Sequence, residues 1–421
     1  MATVLALDVG SSSVRAQRFD ERAEPAGELR QAPYAGDDPD ELVRLAREAL
    51  GGNEPDGVSC FGQSLLALDR RGRPLTPLLG WQDVRSAPQA DGLRRRLDAA
   101  AVHARTGQHL HPSYWPAKLE WLAESEPDVF RGAARFVSFA DYLRGEPATS
   151  MSMASGTGLL DLGTRDWDEE LLDCLELDAG RLPQLADVPV WIDGVCANVG
   201  AGCFGTRAAL SVGTSGALRV LSETDLPRPR PGLFMYLVDD RRVVEGGAVS
   251  DGGNLRVWLD ETLAAGDLGR DDHGLTFLPF LGGERSTGWD PDATGAVTGL
   301  TFATTPGDLR RAALEGVAFR FAAIAELLPE IEELVATGRG ILHDPAWLQI
   351  MADALARPIA VSGVEEASLR GAAVSALERL GYEPVAAPVG AVIQPRRKGV
   401  DAYRSARERQ QRLYEVLRGE D

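Results

Sequence analysis

The chain has 421 residues, 44% hydrophobic and 25% charged, and Lys plus Arg (44) against Asp plus Glu (63) leaves a net charge of −19. That much apolar side chain excludes disorder for most of the length, and so acidic a chain, with no Lys/Arg block, excludes a nucleic-acid partner. No apolar run reaches the ~20 residues of a bilayer span, MATVLALDVG lacks the basic start of a secretory signal, and Cys60, Cys174, Cys196 and Cys203 form no CxxC, so the expectation is a reduced, cytoplasmic protein with no membrane partner.

In chain order, Thr3 to Asp8 is a short β-rich run, Val9-Gly10-Ser11-Ser12-Ser13 is turn chemistry, and Val14 to Phe19 alternates: strand, tight turn, strand. Pro39 to Leu50 has helical spacing, with Asp38 placed as N-cap. Val58 to Phe61 and Leu65 to Leu68 read as strands, Arg85 to Ala101 and Trp115 to Glu124 as helices. His109 and His111 flank Leu110 and would share one face of a strand, as a core-edge or solvated pair rather than a metal site. Thr149 to Gly158 is irregular, and a helix is expected around Trp167 to Leu175. The second half begins near Val188. Gly194 to Gly202 reads as a short helix, Ala208 to Leu221 as a second strand, turn, strand, and Pro227 to Pro231 as a surface turn. Leu309 to Leu328 is a long amphipathic helix, followed by helices at Trp347 to Ala356, Ala367 to Leu380 and Asp401 to Leu417. Trp347 and Met351, at i and i+4, read as core.

The two hairpins match. The first reads Val9-Gly10-Ser11-Ser12 and the second Val212-Gly213-Thr214-Ser215, each after apolar strand residues and each followed by an apolar residue and Arg. Two such hairpins half a chain apart suggest two related α/β domains. Gly followed by small hydroxyl residues lets backbone N–H groups and hydroxyls converge on an anion. Asp8 beside the first turn makes sense there if a cation lies between carboxylate and phosphate, as Mg²⁺ does in phosphoryl transfer. The plain alternative is two ordinary hairpins with Asp8 satisfying turn amides. No GxGxxG opens a helix and no GxxxxGK[ST] occurs, so neither a Rossmann nor a P-loop site is expected.

LALDVGSSSVRA, SCFGQSLLALDRRGRPLTPLLGWQDVR, SMASGTGLLDLGTRDWDEELL, IDGVCANVGAG, ALSVGTSGALRVL, LPFLGGERSTGWDPDATG and HDPAWLQIMADALARPI stand in this order over nearly the whole chain. In these segments the chain resembles the FGGY carbohydrate kinases of the actin/hexokinase-type ATPase superfamily, with SMASGTGLLD and SVGTSGALR most like the gluconate-kinase branch. The resemblance implies an α/β fold of two related, ribonuclease H-like domains facing across a cleft: residues 1–205 carrying sugar binding and the first phosphate motif, and 206–421 carrying the nucleotide. It implies ATP and Mg²⁺ as cofactors and a small sugar or sugar acid as partner, and admits a homodimer.

By the same resemblance Asp193 is the general base, the alternative being an N-cap for the helix from Gly194. Asp8 would hold Mg²⁺. Ser11, Ser12 and Arg15 would lie near the terminal phosphate, Gly213, Thr214 and Ser215 at the β/γ region, and Gly338, Gly340 and Gln349 near adenosine and ribose. Gln63, Trp81, Asp83 and Arg85 would line the sugar pocket, the alternative being a surface loop with an i, i+2 ion pair. Glu284 and Arg285 would support substrate binding or close a turn with a salt bridge. Arg85, His111, Lys118 and Arg285 are the cations that would meet a substrate carboxylate. The chain departs from the family where Arg339 separates Gly338 from Gly340, and in its shorter length. The expected activity is transfer of the γ-phosphoryl group to D-gluconate or a similar acid. Alternatives are a kinase for a neutral ketose or polyol, a catalytically degenerate binding relative, and an actin-like or chaperone-like ATPase, which would need no WQDVR segment.

Overall fold

The computed structural model describes residues 3–263, 265–383 and 385–419. The chain forms two compact units, each discontinuous in sequence. The first takes the chain up to Gly202 together with Leu221–Glu245 and Glu366–Ala387; the second takes Cys203–Val220, Gly246–Glu365 and the chain from Pro388 onward. The sequence divides near residue 205; the units first cross over after Gly202, and two later segments return to the first.

The first unit is built on strands β1 (Thr3–Val9), β2 (Ser13–Asp20), β3 (Arg30–Pro33), β4 (Gly57–Cys60) and β5 (Val190–Ile192), in the spatial order β5-β4-β1-β2-β3. β1 and β2 form an antiparallel hairpin, while β4 and β5 run parallel to β1. Every residue of β1 after Thr3 is buried, which is why it reads as an apolar run rather than an alternation. Helices Pro39–Leu50 and Ala367–Arg379 pack on this sheet. The first starts where Asp38 accepts hydrogen bonds from the amides of Asp40 (2.9 Å) and Glu41 (3.4 Å), and ends at Gly51 with φ +63°.

Several expected elements are redrawn. Arg85 to Ala101 is two helices, Ala87–Arg96 and Ala99–Thr106, because Leu97 is extended and Asp98 caps the second through the amides of Ala100 and Ala101. His109 and His111 are not on a strand. His103 and His109 stack with ring centroids 4.1 Å apart, and the Nε2 atoms of both lie within hydrogen-bond distance of the Leu233 carbonyl, at 2.8 and 3.0 Å. His111 closes a turn, its Nδ1 accepting from the Ser113 amide. The irregular stretch at Thr149 to Gly158 contains a helix, Met151–Ser155, capped by Ser150. A second helix, Glu169–Cys174, follows the short strand Asp166–Trp167.

The second unit repeats the scheme with β6 (Arg207–Val212), β7 (Gly216–Glu223), β8 (Glu333–Thr337), β9 (Ile359–Ser362) and β10 (Val389–Ile393). β6 pairs antiparallel with β7 and parallel with β8, which pairs parallel with β9; β10 closes antiparallel on β9. A hairpin followed by two parallel strands thus occurs twice. Helix Pro306–Leu327 enters through a capping box between Thr305 and Asp308 and buries Leu314, Val317, Phe321 and Ile324. Trp347 and Met351 are core residues, fully buried. Among the described residues no helix is long and apolar enough to cross a membrane.

Candidate active site

Register builds the first half of the site. Asp8 on β1 stands opposite Arg15 on β2 and beside Ser59 on β4. Cross-strand neighbours on one face interact directly. Ser59 Oγ donates to one Asp8 oxygen at 2.6 Å and Arg15 Nη1 to the other at 3.1 Å. Arg15 also lies 3.3 Å from Glu366, the residue that opens helix Ala367–Arg379. Burial pushes the Asp8 carboxyl up to about 6; Ser59 and Arg15 pull it down, and the charges of Asp193 and Glu366 push it up. One guanidinium therefore serves two carboxylates, Asp8 and Glu366, while the charge of Asp193 also acts on Asp8, an excess of negative charge that suits a bound cation.

The adjoining turn presents Ser11 and Ser12 to solvent. It is fixed from below: the Gly10 amide donates to Ser13 O, the Tyr34 amide to Ser12 O, and Tyr34 Oη to Gly10 O at 2.6 Å. Arg15, expected near phosphate, is held between Asp8 and Glu366.

Asp193 is the first residue of helix Asp193–Gly200, not its N-cap; that position is Ile192, which makes no side-chain cap bond. The Gly194 amide donates to Asp193 Oδ1 at 2.7 Å. Backbone contact with helix Ala367–Arg379 fixes this helix. A Cβ on Gly200 would overlap the Ala367 carbonyl, and one on Gly371 the Cys196 carbonyl. Arg370, buried, donates to the carbonyls of Gly200, Ala23 and Val385, so a cation sits at the negative end of the Asp193 helix.

The expected sugar segment lies in the same unit. Gln63 is half-buried with φ +62°, a left-handed conformation rare outside glycine. Asp83 accepts from the Arg85 amide and from Arg85 Nε (2.8 Å), so the i, i+2 ion pair is present, and the Arg85 guanidinium lies 5.0 Å from the Trp121 ring centroid. Ser113 Oγ donates to the Trp81 carbonyl at 2.9 Å. Lys118 is buried rather than offered to a substrate carboxylate: its ammonium donates to the carbonyls of Gln63 (2.6 Å) and Leu79 (3.1 Å).

In the second unit the Gly213-Thr214-Ser215 turn is exposed, and glycine backbones surround it. A Cβ on Gly338 would stand 2.5 Å from Val212 O, one on Gly340 2.9 Å from the same atom, and one on Gly253 2.6 Å from Gly213 O. The amides of Gly253 and Asn254 donate to Gly213 O and Thr214 O. Gly338 and Gly340 thus pack on the turn despite Arg339, which is exposed. Asp251, just before Gly252 and Gly253, is buried, and burial raises its carboxyl to about 7 against the pull of the Leu281 and Gly282 amides. Gln349 turns elsewhere: its amide donates to Asp353 and to Gln394 O, both at 3.0 Å.

Glu284 takes the structural of its two expected roles. One oxygen accepts from Arg320 (2.8 Å) and the Gly288 amide (3.1 Å), the other from Tyr414 Oη (2.8 Å) and Arg418 (3.3 Å). Arg285 lies 5.8 Å from the Trp289 ring centroid. Sequence reasoning missed Ser59, which strand pairing brings to Asp8, Tyr34, which holds Gly10 O, and Glu366, which meets Arg15 from the start of a helix, together with the Gly252-Gly253 pair, whose adjacency before an amphipathic run was a readable signal.

The geometry defines an α/β protein with the same hairpin-and-parallel-strand scheme in both units, a carboxylate cluster in one and a glycine-lined turn in the other. Residues 56–217 match the N-terminal domain model of the FGGY family of carbohydrate kinases and residues 208–378 its C-terminal domain model. The chain belongs to this family and is a carbohydrate kinase of the actin/hexokinase-like fold. It is 27% identical to the gluconokinase of Bacillus subtilis (strain 168), with 90% of this chain and 88% of that one covered. It is 32% identical to the glycerol kinase of Thermus brockianus, covering 89% of each. The structure of ligand-bound xylulose kinase from Lactobacillus acidophilus superposes with a TM-score of 0.90 at 24% identity, over 99% of this chain and 98% of that one.

Proposed function

We propose that this kinase phosphorylates a sugar acid, D-gluconate before others, with ATP and Mg²⁺. The observation carrying the substrate reading is Arg85: its Nε holds Asp83 while the side chain stays 47% exposed beside Trp121. A guanidinium oriented in this way suits a carboxylate, which cannot be bound away from water without a cation. The similarity to a gluconokinase over 90% of the chain supports the same choice. Gln63, Trp81 and Asp83 would take the sugar hydroxyls and apolar face.

The donor set at Asp8 fits Mg²⁺. Among the described residues no three or more His, Cys, Asp or Glu side chains are grouped to hold a metal, but Mg²⁺ binds through one or two carboxylates plus substrate phosphates and needs no protein cage. When bound it neutralises charge on the transferring phosphoryl group. In this reading Asp8 holds the ion and Arg15 keeps Asp8 oriented. Ser11, Ser12, Gly213, Thr214 and Ser215 offer amides and hydroxyls to phosphate, while Gly338 and Gly340 let the nucleotide approach the backbone. Asp193 accepts the proton of the attacking hydroxyl as the bond to phosphorus forms.

The test compares kcat/KM for gluconate, xylulose, ribulose and glycerol by ADP release, for wild type and Arg85→Ala. Gluconate should lead, and Arg85→Ala should cut its kcat/KM by ~10–100-fold while sparing glycerol. A preference for a neutral ketose or polyol, indifferent to Arg85→Ala, overturns the substrate.

A further inference from the structure

Lys118 combines three features that packing alone does not require. Its side chain is buried, and the Coulombic pull of Asp83 only partly offsets a burial that lowers the ammonium to about 7. A methionine would fill similar volume without the desolvation cost of a buried cation. Its two acceptors are backbone carbonyls on separate segments, Gln63 O and Leu79 O. One acceptor belongs to a residue in the left-handed region, which a side chain disfavours.

The surroundings make this a clamp. Leu65 and Leu79 exchange backbone hydrogen bonds, so Leu79 O already accepts from the Leu65 amide; without Lys118 it would still be satisfied. Gln63 O has no such second donor among the hydrogen bonds described above. The next carbonyl, Ser64 O, accepts from Trp115 Nε1 at 2.9 Å, and Ser64 Oγ accepts from the Phe139 amide. Trp115 and Lys118 are three residues apart on helix Trp115–Ser125 and so share a face. One helix face therefore grips two consecutive carbonyls, while just before it Ser113 holds the carbonyl of Trp81.

We propose that Lys118 is a positioning residue for sugar specificity: by tying Gln63 O to Leu79 O it keeps Gln63 in its left-handed conformation and aims the Gln63 side chain at the acceptor sugar. This rests on the reading that Gln63 contacts the sugar, and the experiment separates the two.

Kinetics are measured for Lys118→Met, Gln63→Ala and the double variant, varying sugar and ATP in turn, with a melting curve for each. Lys118→Met should raise the sugar KM by ~10–100-fold, the usual scale for a contact misplaced by about an ångström, and leave the ATP KM within about two-fold. In the double variant Lys118→Met should add little to Gln63→Ala, because the side chain it aims is gone. A Gln63→Ala variant with an unchanged sugar KM overturns the sugar assignment and this inference with it. If Gln63→Ala raises the sugar KM but Lys118→Met does not, or if the two effects multiply, the sugar assignment stands and the inference falls. Should Lys118→Met not fold, Lys118→Arg carries the same test, since a planar fork cannot place its donors on both carbonyls in the same way.

Discussion

At the scale of single residues, the role proposed for Asp193 rests on its place at the head of its helix. One carboxylate oxygen holds the Gly194 amide there, and its charge is felt by Asp8. Asp193→Asn keeps shape and hydrogen bonding but cannot take a proton. It should lower kcat by ~10²-fold or more while sugar and nucleotide still bind; calorimetric binding beside steady-state turnover checks both, and near wild-type turnover rules the role out. The places of Asp8 on the first strand and Asp193 at a helix start were legible because each lies inside a short contiguous motif. Ser59 and Glu366 were not. Ser59 is 51 positions from Asp8 and meets it only through the parallel register of β1 and β4, and Glu366 reaches Arg15 from a segment far along the chain. The sequence left Glu284 between two roles because its four partners come partly from the last helix, far along the chain.

At the scale of elements, glycines separate helices that must touch from helices that merely exist. In helix Ala367–Arg379 a Cβ at Gly371 would overlap the Cys196 backbone; in helix Ala87–Arg96 a Cβ at Gly92 meets nothing within 4 Å. Gly371→Ala should therefore destabilise by about 1–3 kcal/mol, since the neighbour is backbone and cannot rotate aside, and should also lower kcat by moving the Asp193 helix. Gly92→Ala should stabilise by ~0.5–1 kcal/mol through helix propensity alone. Urea unfolding of both variants checks the pair; equal effects would mean the close approach is not tight. The long periodic helices were legible to within a few residues, as at Pro39–Leu50 and Pro306–Leu327, because period and caps agree. The break at Leu97 was not, since Asp98 is one more polar residue in a charged run until its cap bonds are seen. Helix Gly253–Leu263 was passed over altogether in the sequence.

At the scale of the molecule, acid should act through the stacked histidines. Burial lowers both His103 and His109, the latter to about 3, against the ordinary 6.5. A depressed histidine pKa means the unfolded chain takes protons first. Its contribution to stability is intact above about pH 6.5 and is lost as pH falls from there toward 3. Asp8 and Asp141, each raised by burial to about 6, act in the opposite sense over part of that range, so the total curve mixes the two. The difference between wild type and His109→Gln isolates the histidine term. From pH 7.5 to pH 5 the wild-type advantage in unfolding free energy should shrink by ~1–2 kcal/mol; a constant difference would mean His109 titrates normally. This pair also ties the Leu233 region to the first unit, a link between distant segments that no local pattern announces.

The discontinuity of the first unit also orders events on the ribosome. Gly202 is synthesised well before helix Ala367–Arg379, which packs on β1, β4 and the Asp193 helix. At ~5–20 residues per second the wait is about eight to thirty-five seconds. Through that interval the nascent first unit holds the Asp193 helix with its Gly200 face bare and two buried-to-be histidines without the Leu233 carbonyl until that segment emerges. The second unit cannot finish ahead of it either, since β10 follows the returning helix. Asp8 and Asp193 therefore reach their final surroundings only when synthesis is nearly over.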